Sequence, residues 1–408
     1  MAASAPATAG SACGPDVAHE LFNASSRHDS NVSYTSVFSN ASASPNGSVG
    51  GGGEGGLSAE EQQLLMTMWF FMFGVLGDVL VVLGLLGNTL SIVVLCNRRM
   101  RSSTSYYLTS LAVYDNFVLV SMLLFFNMPA LGGWLPAIMA VYNGYVVPVI
   151  PVAYPLSLTA QMGSIYTCVA FTVERFVAVC RPLHAGHMCT KSRAKRAILV
   201  IVLWSMLYNI PRCFHYETYT VCNNETRQHE NRVRPTEFGR NVLFQHIYTI
   251  SLQLTFMFLL PFVVILLLNA ALLRAINRSR NQRQQMSTTA TREHNLTVML
   301  VAVIVVFLVC QFPTIVDNIL VAIVGEERHD GVVQYQLLYI LSTTLVTINS
   351  SLNFVLYCLF GKKFRMVLCH ILGLQGGGQK ENQYRSTIYQ SRANGTKVSH
   401  CDMEVSLV

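Results

Sequence analysis

Few ionisable side chains interrupt the apolar runs of this sequence, and those few can do chemistry. They are Asp78, Asp115 in LAVYDNF, the adjacent acid and base Glu174 and Arg175 in FTVERFVAVCRPL, and Asp317. Charged groups inside apolar spans are expensive and mark ion sites, proton relays or switches. Asp115 requires polar company, and Asn88, Ser164, Asn349, Ser350 and Asn353 can supply it. A carboxylate ringed by hydroxyls and amides suits a sodium ion or a proton; equally, it suits a hydrogen-bonded network that only holds helices together. Glu174 and Arg175 offer each other a partner, in a contact that can be made and broken.

The elements that carry these groups follow from composition. The chain has 408 residues, 52% of them hydrophobic and 12% charged. Soluble domains carry roughly 25% charged residues, so this balance points to lipid as the solvent. Apolar runs of about 20 residues, enough to cross a bilayer, centre near residues 82, 117, 165, 204, 260, 307 and 345. Pro261 and Pro313 interrupt the fifth and sixth runs, where a missing N–H makes a kink. The expected fold is an all-α membrane protein, a seven-transmembrane helix bundle.

Cationic residues sort to one side of such a bundle. Arg98, Arg99 and Arg101 follow span 1; Arg181, Lys191, Arg193, Lys195 and Arg196 follow span 3; Arg278, Arg280, Arg283 and Arg292 follow span 5; Lys362, Lys363 and Arg365 follow span 7. The opposite side has Asp16, Glu20, Asp29, Glu54, Glu60 and Glu61 against Arg27, and no Lys or Arg in the link after span 2. The positive-inside rule then predicts an extracellular N-terminus and a cytoplasmic C-terminus in the plasma membrane. The net charge of +7 comes from loops facing anionic lipid and does not imply a nucleic-acid partner.

Three regions are expected. Residues 1–65 read as a disordered extracellular tail with glycosylation sequons at Asn23, Asn31, Asn40 and Asn46, and Asn224 adds one in the loop after span 4. The tail lacks the start of a cleavable signal peptide, so span 1 is expected to act as the insertion signal. Residues 66–372 form the membrane domain. Residues 373–408 read as a disordered cytoplasmic tail.

Seven pieces stand in order, one per span: Gly87–Asn88, LAVYD ending at Asp115, ERF at 174–176, Trp204, Pro261, FLVCQFP at 307–313 and NSSLNFVLY at 349–357. The series resembles the rhodopsin-like (class A) G-protein-coupled receptors. Within that class, ERFVAVCRPLHA, CTKSRAKRA and YNIPRCF resemble the invertebrate FMRFamide and myosuppressin-type neuropeptide receptors. The resemblance implies a receptor for an extracellular peptide that activates heterotrimeric G proteins. It makes Arg175 a cytosolic switch, held at rest by Glu174 and by Glu293, which lies about 30 Å along the helix from Pro313. It makes Tyr357 a residue that turns inward on activation, and Ile165, Pro261 and Phe307 a packed trio relaying motion beside Pro313. Asp115, Ser164, Asn349 and Ser350 match the family's allosteric sodium pocket; no other cofactor is implied. FGKKFR after span 7 would start a short amphipathic eighth helix, with Cys369 a palmitoylation candidate.

Departures from the pattern are plain. Gln311 stands where the family has Trp, Phe354 where it has Pro, and Ile150 where it has the Cys that pairs across the outer face. Pro155 is expected to open the regular part of span 3. Cys222 then lacks its usual partner and is expected to be free, with a Cys13–Cys222 bridge the alternative.

Ser157 and Thr347 stand where amine receptors carry Asp and light receptors Lys, so neither ligand class fits. The pocket candidates are Gln161, Gln253, Gln311 and Asp317, with Glu217 in the loop after span 4 and Glu326, Glu327 and Asp330 beyond span 6. Carboxylates at the mouth favour a cationic ligand, and an Arg-containing amidated peptide would set its guanidinium on Asp317 or Glu217. In the C-terminal tail, Ser386, Thr387 and Ser391 can be phosphorylated and recruit arrestin. Ser406, Leu407 and Val408 match a PDZ-binding terminus. A transporter or channel using Asp115 and Asp78 remains the other reading, although paired repeats are not visible. No metal set or Ser/His constellation recurs within the spans, so enzymatic activity is not expected.

Overall fold

The computed structural model describes residues 57–223, 228–282, 288–325 and 331–373, and side chains throughout these except at 182–184, 223, 228 and 276–304. Seven helices among these residues are long and apolar enough to cross a membrane. They are α1 (Ala59–Cys96), α2 (Ser103–Gly132), α3 (Pro136–Cys180), α4 (Lys191–Phe214) and α5 (Phe244–Ala275), then α6 (Thr288–Val324) and α7 (Val333–Phe360). A shorter helix, α8 (Lys362–Ile371), follows. Between α4 and α5 an antiparallel hairpin, β1 (Tyr216–Asn223) and β2 (Gln228–Pro235), pairs Glu217 with Arg234 and Cys222 with His229.

Burial is arranged for lipid rather than water. Leu83, Leu86, Leu203, Leu207, Leu267 and Val309 point outward and are exposed, whereas Asn88, Ser91, Asp115, Asn353 and Gln311 are buried. Apolar surface cannot drive helices together when lipid is equally apolar, so small residues and polar contacts have to. Gly87 is one such contact: a Cβ there would meet Phe354 Cβ at 2.8 Å. The bulky residue that replaces the family's Pro in α7 therefore fits because α1 has no side chain opposite it. Gly163 does the same for the ring of Tyr114, which a Cβ would meet at 2.4 Å.

Two boundaries differ from the sequence expectation. The first helix starts at Ala59, not after residue 65, because Ser58 and Glu61 form a reciprocal capping box that satisfies the first backbone donors. Pro155 does not open α3. The regular helix begins at Ile150, with Pro155 inside it, and a membrane helix tolerates the single lost backbone bond. Helical turns continue back to Pro136 through wide turns at Tyr142–Val146. α5 is wound the same way over Phe244–Leu252 and Leu254–Leu259, up to Pro261.

Candidate functional site

Four groups of polar residues lie along the bundle axis. At the end carrying the basic links, α3 presents Glu174 and Arg175. Arg175 Nη2 donates to Glu174 Oε1 at 2.5 Å and to Thr104 Oγ1. The same carboxylate accepts from Ser103 Oγ at 2.9 Å and Thr104 Oγ1 at 3.2 Å, both at the start of α2. Among the described residues Arg175 Nε has no partner, and the guanidinium is held there by one carboxylate and one hydroxyl. The Glu293 side chain, the second expected partner, lies outside the described residues. Tyr357 is buried with an unpartnered hydroxyl, in a cluster with Leu108, Phe171 and Phe364.

In the middle of the bundle Asp115 of α2 is 0% exposed. Its Oδ1 accepts from Ser164 Oγ of α3 at 2.9 Å and Ser350 Oγ of α7 at 3.4 Å, and its Oδ2 from Asn353 Nδ2 at 2.6 Å. Asn88 of α1 donates to Ser350 O at 2.9 Å and leaves its own amide oxygen unpartnered. Asn349, counted in the sodium set, makes no hydrogen bond to Asp115; Asn353, one turn further, takes that place. The oxygens of Asp115, Ser164 and Ser350 converge and both hydroxyls can rotate, so the donor set fits a small cation. No cluster of three His, Cys, Asp or Glu suited to a metal occurs among the described residues.

Above this, Ile165, Pro261 and Phe307 meet as expected around a cavity of about 10 Å³, the room of a single water. Gln311 lines the same cavity, with its Oε1 buried and unpartnered. The amide that replaces the family's Trp thus faces the contact of Ile165, Pro261 and Phe307.

At the hairpin end the expected ligand contacts separate. Gln161 is half-buried on α3, and Asp317 is buried on α6. Gln253 Oε1 accepts from Arg212. Glu217 is 48% exposed on β1 and pairs with Arg234 Nε at 2.8 Å, so its carboxylate is already engaged. Glu326, Glu327, Asp330 and Asn224 lie outside the described residues, as do Asn23, Asn31, Asn40, Asn46 and Ser406, Leu407 and Val408. Cys222, expected free, is disulfide-bonded. The other described cysteines, Cys369 among them, are free, so its partner lies outside the described residues, where Cys13 and Cys401 stand. Arg212 itself went unnoticed in the sequence except as one letter of YNIPRCF. Its signal was a charged residue directly after Pro211, in the last turn of α4.

Seven spans, a buried carboxylate shared by α2, α3 and α7, and an acid–base pair at the foot of α3 define a membrane receptor bundle. Residues 87–357 match the profile of the 7 transmembrane receptor (rhodopsin family), and the chain belongs to that family. It is not an enzyme. The FMRFamide receptor of Drosophila melanogaster is 36% identical over 299 residues, 73% of this chain and 53% of the fly protein. An FMRFamide peptide receptor of Caenorhabditis elegans is 31% identical over 327 residues, covering 79% of this chain and 73% of the nematode protein. The neuromedin-U receptor 1 of Mus musculus is 29% identical over 330 residues, 72% of this chain and 71% of that receptor. The chain spans about half the length of the fly relative it matches.

Proposed function

We propose that this chain is a plasma-membrane receptor for an extracellular amidated neuropeptide of the FMRFamide kind, signalling to heterotrimeric G proteins. The observation that carries the reading is the 36% identity to a fly protein named for that peptide. In this reading the hairpin end faces outside and the basic links face the cytosol, in accord with the charge asymmetry. The Glu174–Arg175 contact is the resting latch, with Glu293 of α6 as its second partner. Opening it frees Arg175 for the G protein, and Tyr357 moves with the foot of α7. The relay of Ile165, Pro261 and Phe307 passes motion down from the pocket, and Pro313 gives α6 a place to bend. A sodium ion on Asp115, Ser164 and Ser350 favours the resting state. Cys369 on α8 is a lipid-attachment site, the sequons carry glycans, Ser386, Thr387 and Ser391 recruit arrestin once phosphorylated, and Val408 docks a PDZ domain.

A cell reporter challenged with a panel of amidated peptides tests the ligand class. Response to Phe-Met-Arg-Phe-amide is expected. Silence to every such peptide, with response to another class, removes the ligand assignment and leaves the receptor family in place.

A further inference from the structure

Arg212 closes α4 and is 1% exposed. Its Nη2 donates to Gln253 Oε1 of α5 at 2.5 Å and its Nη1 to the Tyr154 hydroxyl of α3 at 3.5 Å. The ring of Tyr248 lies 5.2 Å from the guanidinium carbon. Nε has no partner, and the ion pairs among the described residues do not include this arginine. A guanidinium offers five donors and is costly to bury without an anion. This one is met by the amide oxygen of Gln253 and the phenols of Tyr154 and Tyr248, all of them neutral.

The walls are aromatic. Tyr208 stacks on Tyr248 at 5.5 Å and Phe244 stacks on Tyr248 at 5.0 Å. His215 is pushed down to about 4 by burial and then by the charge of Arg212, and stays neutral. The guanidinium therefore has neutral partners only and keeps one idle donor, Nε, in an aromatic surround. Tyr216, at the start of β1, packs on two neighbours of Arg212, stacking on His215 at 4.2 Å and meeting Tyr154 edge-on at 5.5 Å.

The charge constrains how a peptide of the proposed kind can enter. Phe-Met-Arg-Phe-amide carries two cations, its amino terminus and its guanidinium, and no anion. Neither cation can approach Arg212, because like charges brought together in a buried site repel strongly. Its neutral carboxamide end can, with an acceptor oxygen and an adjoining phenyl ring.

We infer that Arg212, with Gln253 and Tyr154, receives the terminal carboxamide of the amidated peptide, and that the peptide's guanidinium points across the bundle toward Asp317. The inference rests on the ligand class proposed above. The carboxamide oxygen accepts from the guanidinium, its N–H donates to Gln253 Oε1, and the terminal ring lies on Tyr208 and Tyr248. Tyr216 gives way as the peptide end arrives.

Two measurements on the full-length receptor in cells test the orientation. In the first, the unmodified receptor is photolysed with Phe-Met-Arg-Phe-amide whose terminal ring is a benzophenone. Label is expected in α3, α4 or α5, on segments holding Tyr154, Tyr208 or Tyr248. Label confined to α6 and α7 overturns the orientation. In the second, Arg212→Met is combined with a peptide that ends in phenethylamide, the terminal carboxamide replaced by hydrogen. Each change alone is expected to lower potency about tenfold to a hundredfold, the worth of a hydrogen bond to a charged group, and both together no more than either. Losses that multiply overturn the contact. If Arg212→Met fails to reach the surface, the labelling decides alone. A surface-expressed receptor silent to the peptide overturns the ligand class and the orientation with it. One that responds but labels on the wrong side overturns the orientation only.

Discussion

Asp115 and Arg212 are both buried ionisable groups in the same bundle, yet their surroundings are opposite. Asp115 accepts three hydrogen bonds from three neutral side chains on two helices. Arg212 has one short acceptor, Gln253, contacts with the phenols of Tyr154 and Tyr248, and an idle Nε. A buried carboxyl satisfied by hydroxyls and an amide ties helices together whether or not a cation visits. A buried cation left short of acceptors is held in place by its neighbours without tying them equally well. The first arrangement serves the bundle's own cohesion, and the second is open to an oxygen from elsewhere.

That contrast can be broken by substitution. Asp115→Leu strands the donors of Ser164, Ser350 and Asn353, each worth about 1–3 kcal/mol when left unmet. The largest loss is expected here, several kcal/mol, read as a fall in thermal midpoint of the purified receptor; an unchanged midpoint would show that the network holds nothing. The pH dependence near Arg212 is next. His215 has its folded pKa at about 4, below its ordinary value of 6.5, so the unfolded chain takes up the proton first. Its contribution is complete above about pH 6.5 and is lost as pH falls from there through 4. Acidification from pH 7 to 5 should cost about 1–2 kcal/mol, and His215→Phe should flatten that part of the stability profile.

Glu174 is intermediate, since its carboxylate meets a cation as well as two hydroxyls. Glu174→Gln weakens the latch by about 1 kcal/mol, the difference between charged and neutral hydrogen bonds. Basal signalling should rise about fivefold or less, measured without ligand at matched surface expression; no rise counts against the latch. The smallest effect on stability belongs to Arg212→Met. Replacing a poorly paired buried charge by an apolar side chain of similar length is often neutral or stabilising. The unliganded midpoint should hold or climb slightly while peptide potency drops. A loss as large as that of Asp115→Leu would make Arg212 a structural tie and erase the contrast.

Much of this was legible in the residues. The spans follow from hydropathy, and the ordered motifs placed Asp115, Glu174, Arg175 and the Ile165–Pro261–Phe307 trio where the fold brings them together. Asn349 and Asn353 show the limit: both are amides on α7 one turn apart, and only the helix phase decides which one reaches Asp115. Pro155 failed as a helix start because a proline's preference for first turns is weaker than the cost of unwinding backbone in an apolar span. Arg212 was passed over for a different reason. A cation at a span's end ordinarily reaches out to the interface, and nothing local announces that a hairpin distant by several residues will fold across it. Cys222 is similar, because bridge connectivity is set by the tertiary path of the chain and not by spacing.

The hairpin of β1 and β2 has a kinetic consequence. It is stitched by cross-strand pairing from Tyr216↔Pro235 to Asn223↔Gln228 and tethered at Cys222 by a disulfide, so opening one strand alone would break the ladder. A ligand seated beneath Tyr216 enters and leaves through the same opening event. Arrival and departure then share one barrier, and loosening the hairpin speeds both while leaving their ratio nearly fixed. On the ligand placement inferred above, the lifetime of the bound state would follow the opening of this strand pair, which includes neither Glu174 and Arg175 nor the Ile165–Pro261–Phe307 contact.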